Sequence, residues 1–263
     1  MKVGNRELPD MSGIFLLLLL SPLGAMSDMG TIPDWIPITR EEVIELISKT
    51  PAREIPNLKE RDFRGQDMSS IDFKAADIFY THMRGVNLAG SNFENANLDL
   101  AIMPEANLEQ VNLRNAKMNN VELGNANLKN ADLTSAKFIA KAKGANFEGA
   151  NLSKVKGGAN MSNQSMGMIR TIMDYTNLKN ANLQDADLSY CTMKFARLTN
   201  ANLRGANLTW CDLSAADFTG ADLTNANLTM ALLSESVFRN IKGRDTIIGL
   251  DTARDIKNAV FDQ

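Results

Sequence analysis

The sequence predicts an all-β solenoid, a chain that winds around one apolar interior. Two observations carry this prediction. A large apolar residue recurs at every fifth position from Leu58 to Phe138 and again from Met173 to Phe238, and these 17 and 14 positions are all Leu, Phe, Met or Ile. The residue two positions earlier is mostly Ala. Internal repetition on this scale indicates a repeat architecture.

A period of five residues excludes the two regular alternatives. An α-helix turns about 100° per residue, so steps of five would spread the large apolar residues around its whole circumference. A flat strand alternates its faces, so the same steps would place successive residues on opposite sides. The chain must therefore run extended for about three residues and then turn a corner, again and again.

Each five-residue unit has four positions that matter for the fold. We call the large apolar residue the centre, the residue two before it the small position, the residue between them the outer position, and the residue two after the centre the turn position. Outer positions are mostly Asn or Asp, which suit tight corners because their side chains hydrogen-bond nearby backbone. Stacked coils would pair their backbone groups at a spacing of about 4.8 Å.

The pattern of Ala, then Asn or Asp, then Leu, then two variable residues resembles the pentapeptide-repeat family. It is clearest in three segments, Ala96-Asn97-Leu98, Ala106-Asn107-Leu108 and Ala126-Asn127-Leu128. The resemblance covers residues 56–240 and implies a right-handed quadrilateral β-helix with four units in each coil. Some members of this family mimic duplex DNA and bind DNA gyrase or another topoisomerase.

The chain before the repeats divides into two segments. Residues 1–37 resemble a leader, because the apolar run Ile14–Leu20 is too short to span a bilayer but fits a secretory signal. An over-extended start, with Met26 opening the mature frame, remains the alternative. Residues 38–55 are predicted to form an N-terminal capping helix that begins with a capping box of Thr39 and Glu42. We expect a cytoplasmic protein, or an exported one if residues 1–25 are a signal peptide.

Two segments depart from the repeat. Between residues 139 and 172 the phase of the five-residue repeat changes. We therefore expect residues 141–143 and 155–158 to be extruded as loops from the β-helix. Residues 241–263 are predicted to form a C-terminal capping helix, with Ala253, Ile256 and Val260 on one side, because the end of a solenoid must be covered. In gyrase-inhibiting relatives a similar segment forms a dimer contact, which implies a possible homodimer here.

The composition argues against an enzyme. A single His and two Cys among 263 residues leave no material for a zinc site or a His-centred triad, so we expect no catalytic residues, no metal and no cofactor. Cys191 and Cys211, 20 residues apart at small positions, are interpreted as two buried thiols. His82, at an outer position, is assigned no role. A net charge of -3 argues against direct nucleic-acid binding, and no segment is long enough for a transmembrane span.

The candidate functional residues are large side chains at turn positions, where outward apolar groups should be scarce. Two sets recur every 20 residues, and we expect them to flank one corner of the coil. The Trp210 ladder consists of Tyr190, Trp210 and Met230, and the Phe195 ladder consists of Tyr175 and Phe195. Together they predict an exposed apolar patch that binds a partner, unless the extruded loop or the C-terminal helix covers it.

The sequence therefore favours a non-enzymatic, rigid scaffold for protein–protein interaction. A DNA-mimicking gyrase modulator is the first alternative, but the repeats hold 19 acidic and 19 basic residues between positions 56 and 240, which gives no net negative charge. A secreted bacterial effector or envelope protein is the second alternative, and it depends on the leader segment.

Overall fold

Parallel pairing between residues 20 positions apart organises the structure, a computed structural model that describes residues 35–73, 75–159 and 169–262. The described residues belong to one compact unit that begins at Trp35. Its elements are helix α1 (Arg40–Lys49) and strands β1 (Ile36–Pro37), β2 (Arg61–Asp62), β3 (Lys117–Glu122), β4 (Lys137–Lys141), β5 (Val237–Phe238) and β6 (Val260–Phe261). Residues 1–34 of the leader segment lie outside the described residues.

Each coil contains four five-residue units. Outer residues pair one coil apart, as Asn87 does with Asn107 and Asn107 with Asn127. The centre residue Leu88 donates its backbone N–H to the carbonyl of Asn107 at 2.7 Å, and Gly90 donates to Glu109 at 2.9 Å. The extended part of each unit is short, so most of this pairing consists of single parallel bridges. Longer parallel pairs form only where β1 meets β2, β3 meets β4 and β5 meets β6 among the described residues.

The interior contains the centres and the small positions. All 31 predicted centres are buried, and most small positions are filled by buried Ala. Large and small side chains thus alternate along the wall of the coil, and the rings of Phe73 and Phe93 stack 4.3 Å apart in adjacent coils. Burying a large apolar side chain contributes about 1.5–3 kcal/mol. The predicted separation of interior from exterior is confirmed.

The turn position bends the chain at each corner. Its backbone adopts a positive φ in unit after unit, for example at Asn115, Asn125 and Asn130, each with φ of 56°. Asn and Gly tolerate this left-handed region better than other residues. This requirement explains why they are frequent at the turn position.

The N-terminal end is closed by α1 and β1. Thr39 Oγ1 accepts a hydrogen bond from the Glu42 backbone N–H, and the Glu42 carboxylate accepts one from Thr39, which confirms the predicted capping box. Val43 is fully buried against the first coil. The assignment of residues 35–37 to the leader is wrong, because β1 pairs with β2 and the Ile36 N–H donates to Glu60 O at 3.0 Å.

The expectation of loops at 141–143 and 155–158 is also wrong. Ala142 and Val155 are buried, and Lys156 bridges Lys137 on one side and Asp187 on the other. Both segments belong to the coil because its register shifts instead. Outer residues here are 19 apart in one coil and 31 apart in the next, instead of 20.

One residue is therefore missing from one coil and eleven are added to the following one. The missing residue lies in β4, because Asn120 of β3 has no partner between the pairs Asn119–Ile139 and Val121–Ala140. The addition lies between Lys156 and Ile172, and residues 160–168 within it are outside the described part. The net change of ten residues is a multiple of five, so the repeat resumes in its original phase at Ile172. Between the two shifts the coil continues one residue out of phase.

The predicted C-terminal capping helix is replaced by a last coil with longer sides. Three 3-10 turns, Arg244–Thr246, Leu250–Thr252 and Ile256–Asn258, follow residues with positive φ at Gly243, Gly249 and Asp255. The outer residues of this coil are six apart, and they pair in parallel with the preceding coil at Lys242, Ile248, Arg254 and Val260. No helix in the described residues is long and apolar enough to cross a lipid bilayer.

A six-residue unit explains why the sequence resembled a helix. Ala253, Ile256 and Val260 have helical spacing, but Gly243 and Gly249 break a helix and favour corners. The last coil also satisfies backbone groups that a helix would leave unpaired, since Val260 donates its N–H to Ser236 O at 2.8 Å. Phe261 stacks on Phe238 with ring centroids 5.0 Å apart, which covers the interior at this end.

Candidate protein-binding surface

Five large side chains occupy turn positions in the C-terminal half of the coil. Tyr175, Tyr190, Phe195, Trp210 and Met230 have φ between 57° and 62°. A bulky residue in the left-handed region costs about 1 kcal/mol or more, whereas Asn is tolerated there. The fold requires a positive φ at these five positions, but it does not require aromatic side chains there.

The Phe195 ladder is a stacked and open pair. The rings of Tyr175 and Phe195 lie 4.8 Å apart and are inclined by 10°. Their side chains remain 54% and 48% exposed. Lys143, from the preceding coil, places its Nζ 5.4 Å from the centre of the Tyr175 ring. The backbone N–H of Phe195 donates to Ser214 O at 3.0 Å, which holds this turn in place.

The Trp210 ladder is partly covered by the last coil. Tyr190 and Trp210 lie 6.3 Å apart with nearly parallel rings. The guanidinium of Arg254 lies 5.5 Å from the Trp210 ring, and its Nε donates to Met230 O at 3.0 Å. Trp210 nevertheless remains 41% exposed. The sequence left open whether the C-terminal segment covers the apolar patch. This segment covers part of the Trp210 ladder with the side chain of Arg254, and it does so without a helix.

The two ladders border one face of the coil. Tyr190 and Phe195 lie at successive turn positions, so residues 191–194 form the side between them, and the ladders do not share the single corner that the sequence suggested. Lys194 forms an ion pair with Asp212 on this face at 3.1 Å. Thr192 is buried, and its Oγ1 has no hydrogen-bond partner among the described residues. The sequence pattern contained no signal for this buried hydroxyl.

Two thiols lie directly behind this face. Cys191 and Cys211 are buried and free, as predicted, with their Sγ atoms 2.7 Å apart. Cys211 Sγ donates to Leu188 O at 2.8 Å. Burial raises the pKa of the Cys191 thiol well above its ordinary value, and the neighbouring Cys211 raises it further. Because the thiolate is the reactive form, Cys191 is a poor nucleophile. Both cysteines are part of the buried packing.

A second aromatic cluster, which sequence reasoning missed, lies at the N-terminal end. Trp35 packs 4.6 Å from the His82 ring and 5.6 Å from the Tyr80 ring, and its Nε1 donates to Tyr80 O at 2.9 Å. The large side chain of Tyr80 at a turn position was the feature of the sequence that could have indicated this cluster. Burial, followed by the Arg64 guanidinium, lowers the pKa of His82. The described residues hold no group of three or more His, Cys, Asp or Glu side chains that could bind a metal ion.

Three solved structures illustrate what the chain is similar to. HetL, a pentapeptide-repeat protein involved in heterocyst differentiation in the cyanobacterium Nostoc sp. strain PCC 7120, is 27% identical over 85% of this chain and 94% of its own, with a TM-score of 0.36. QnrB1, a plasmid-mediated fluoroquinolone resistance protein, is 18% identical over 78% and 84%, with a TM-score of 0.39. A pentapeptide-repeat protein of the Arabidopsis thaliana thylakoid lumen is 24% identical over 58% and 72%, with a TM-score of 0.25.

The family itself is identified by sequence. No curated protein matches the chain significantly. The family model for pentapeptide repeats matches in eight copies, with overlapping segments at 57–95, 67–103, 81–120 and 106–139, and at 173–205 and 201–240. These segments cover more than half of the chain and coincide with the coils in which the centres are buried. The chain therefore belongs to the pentapeptide-repeat family.

Proposed function

We propose that this protein is a non-enzymatic scaffold that binds a protein partner through the two aromatic ladders, Tyr175 with Phe195 and Tyr190 with Trp210 and Met230. The scaffold is a right-handed quadrilateral β-helix in this proposal. Its continuous backbone pairing between coils holds the side chains of the exterior at fixed positions. A rigid support of this kind lowers the entropy lost on binding.

The observation that supports the proposal best is the stacking of exposed aromatic rings at positions where Asn fits more easily. Tyr175 and Phe195 are about half exposed, yet neither ring is needed to form the turn. Tyr and Trp dominate the binding energy of many protein interfaces, and exposed apolar patches on repeat proteins mark partner surfaces. Lys143 and Arg254, which lie against the rings, provide charge at the rim of the surface.

Charge disfavours the two alternatives that involve DNA. The repeats carry equal numbers of acidic and basic residues between positions 56 and 240, whereas a mimic of duplex DNA needs a strongly negative face. Direct nucleic-acid binding would require a net basic footprint, and the net charge is -3. A protein partner is the class that the exposed rings fit.

Affinity capture with matched variants tests the proposal. Tyr190→Ser with Trp210→Ser, or Tyr175→Asn with Phe195→Asn, should release a specific partner that the wild type retains. The Asn variants should keep or gain thermal stability, because Asn adopts a positive φ at low cost. Asn180→Ser with Asn200→Ser alters turn positions at another corner of the same coils and serves as the control. Retention of the same proteins by all variants would refute the proposal.

A further inference from the structure

A row of three lysines on one face of the coil has no counterpart elsewhere in the described outer positions. Lys117, Lys137 and Lys156 occupy outer positions in three successive coils and pair with one another through the backbone. We call them the lysine ladder. All three residues are exposed, and they lie about 4.8 Å apart along the coil.

The lysine ladder interrupts a pattern that stabilises the exterior of other faces. On the opposite face, Asn side chains donate Nδ2 to the Oδ1 of the residue one coil earlier, as Asn107 does to Asn87 at 2.9 Å and Asn177 to Asn146 at 3.0 Å. The lysine face has this bond before and after the ladder, from Asn97 to Asp77 and from Asn207 to Asp187. Lysine cannot accept a hydrogen bond, so three coils lose these contacts.

The ladder also places like charges side by side, and only Lys156 has an acidic residue, Asp187, at the paired position of the next coil. Like charges directly opposite each other on paired strands are destabilising. No ion pair joins any of the three lysines to another described residue, whereas other cations of the coil have partners, such as Arg84 with Glu105 and Lys141 with Glu122. The carboxylates flanking the ladder are engaged elsewhere: Asp99 accepts from Asn119, and Asp187 accepts from Ser189 and Asn207.

We propose that the lysine ladder binds an acidic helical segment of a protein partner. Three lysines in successive coils span about 10 Å. Carboxylates at positions i, i+4 and i+7 of an α-helix lie on one face and span about 10.5 Å, so one carboxylate can meet each lysine. The stripe is flanked by Asn119 and Ile139 on one side and by the turn residues Asn115, Ser135 and Lys154 on the other, so a further lysine lies only beside Lys156. A duplex nucleic acid, which presents two phosphate backbones, needs a broader basic surface.

This binding site is separate from the aromatic ladders, and its test does not depend on them. The probe is a fluorescently labelled helical peptide of about 16 residues with Glu along one stripe, compared with the same peptide carrying Gln. The full chain is compared with the triple variant Lys117→Gln, Lys137→Gln and Lys156→Gln. The matched control, Lys129→Gln, Lys179→Gln and Lys242→Gln, removes the same charge from lysines that also form no ion pair with another described residue.

The wild type and the control should bind the Glu peptide at low salt, and the triple variant should bind it about tenfold more weakly. Added salt should weaken the binding, and the Gln peptide should not bind. The proposal fails if the wild type does not bind the Glu peptide or if the triple variant binds it equally well. It also fails if a DNA duplex, or vesicles containing phosphatidylserine, bind through the same lysines as tightly as the peptide.

Thermal stability gives a second, independent test. The variant Lys117→Asn, Lys137→Asn and Lys156→Asn should melt at a higher temperature than the wild type, because Asn restores the side-chain ladder and removes the repulsion. A residue kept for binding at the expense of stability behaves in this way. A lower melting temperature would mean that the lysines stabilise the coil, which would overturn the proposal.

Discussion

Individual residues carry most of the information that the sequence made available. A centre such as Leu203 could be placed in the interior, because only an apolar side chain tolerates full burial without a partner. The exposure of Phe195 was predicted from its turn position in the same way. The contact between Trp35 and His82 could not be predicted, since the two residues are 47 positions apart and no repeat relates them.

His82 makes the stability of the N-terminal end dependent on pH. Its pKa is lowered from the ordinary value of about 6.5, first by burial and then by Arg64. The unfolded chain therefore binds the proton more tightly, and His82 contributes stability above about pH 6.5 that is lost as the pH falls through the lower pKa of the folded state. We expect the melting temperature to decrease between about pH 7 and pH 5.

Thermal unfolding of His82→Asn checks this expectation. Asn is a common residue at outer positions and does not titrate, so the variant should lose less stability over the same interval. The carboxylates with lowered pKa, such as Asp62 and Asp132, act at lower pH and do not confuse the comparison. An identical pH dependence in wild type and variant would contradict the assigned role of His82.

At the scale of elements, local signals were reliable where chemistry specifies a geometry. The capping box of Thr39 and Glu42 predicted the start of α1, because each side chain satisfies a backbone donor of the first turn. The last coil was misread as a helix, because its six-residue period places apolar residues at spacings that a helix also produces. Gly243 and Gly249, six residues apart, were the signal that distinguishes the two.

The last coil depends on glycine at its corners. Gly249 has φ of +68°, and a Cβ there would lie 2.1 Å from Thr229 Oγ1 and 2.7 Å from Thr229 Cα. We expect Gly249→Ala to lower the free energy of unfolding by about 1–3 kcal/mol. Chemical denaturation measures this change.

Gly124→Ala is the matched control within the repeats. Gly124 does not have a positive φ, and its nearest neighbour to an added Cβ is 4.0 Å away. This substitution should be neutral or stabilising by about 0.5 kcal/mol, because Ala restricts the unfolded chain. Equal losses in both variants would contradict the corner geometry of the last coil.

At the scale of the whole molecule, the resemblance implied a homodimer through the C-terminal end, and two exposed residues there make this testable. Ile248 and Val260 of the last coil are 52% and 39% exposed. We expect Ile248→Lys with Val260→Lys to convert a dimer into a monomer in sedimentation velocity, because a charge would replace apolar contact area. Ile36→Lys, which changes an equally exposed residue at the other end of the coil, should leave the dimer intact.

A wild-type chain that sediments as a monomer would contradict the expected homodimer.

The register of the whole coil was predicted more completely than its interruptions. Period five fixes the side of each residue. The residue missing from β4 and the eleven added before Ile172 change the phase between them, and a change of phase alone does not distinguish an extruded loop from a coil with a shifted register.

Site-specific photo-crosslinking tests the central claim, that the aromatic ladders are the partner-binding surface, most directly. A benzoylphenylalanine in place of Phe195 keeps an aromatic ring at the turn position, and one in place of Asn200 lies one turn later in the same coil. The account predicts a covalent product with a specific protein from position 195 and none from position 200. Equal products from both positions, or a product from position 200 alone, would contradict it.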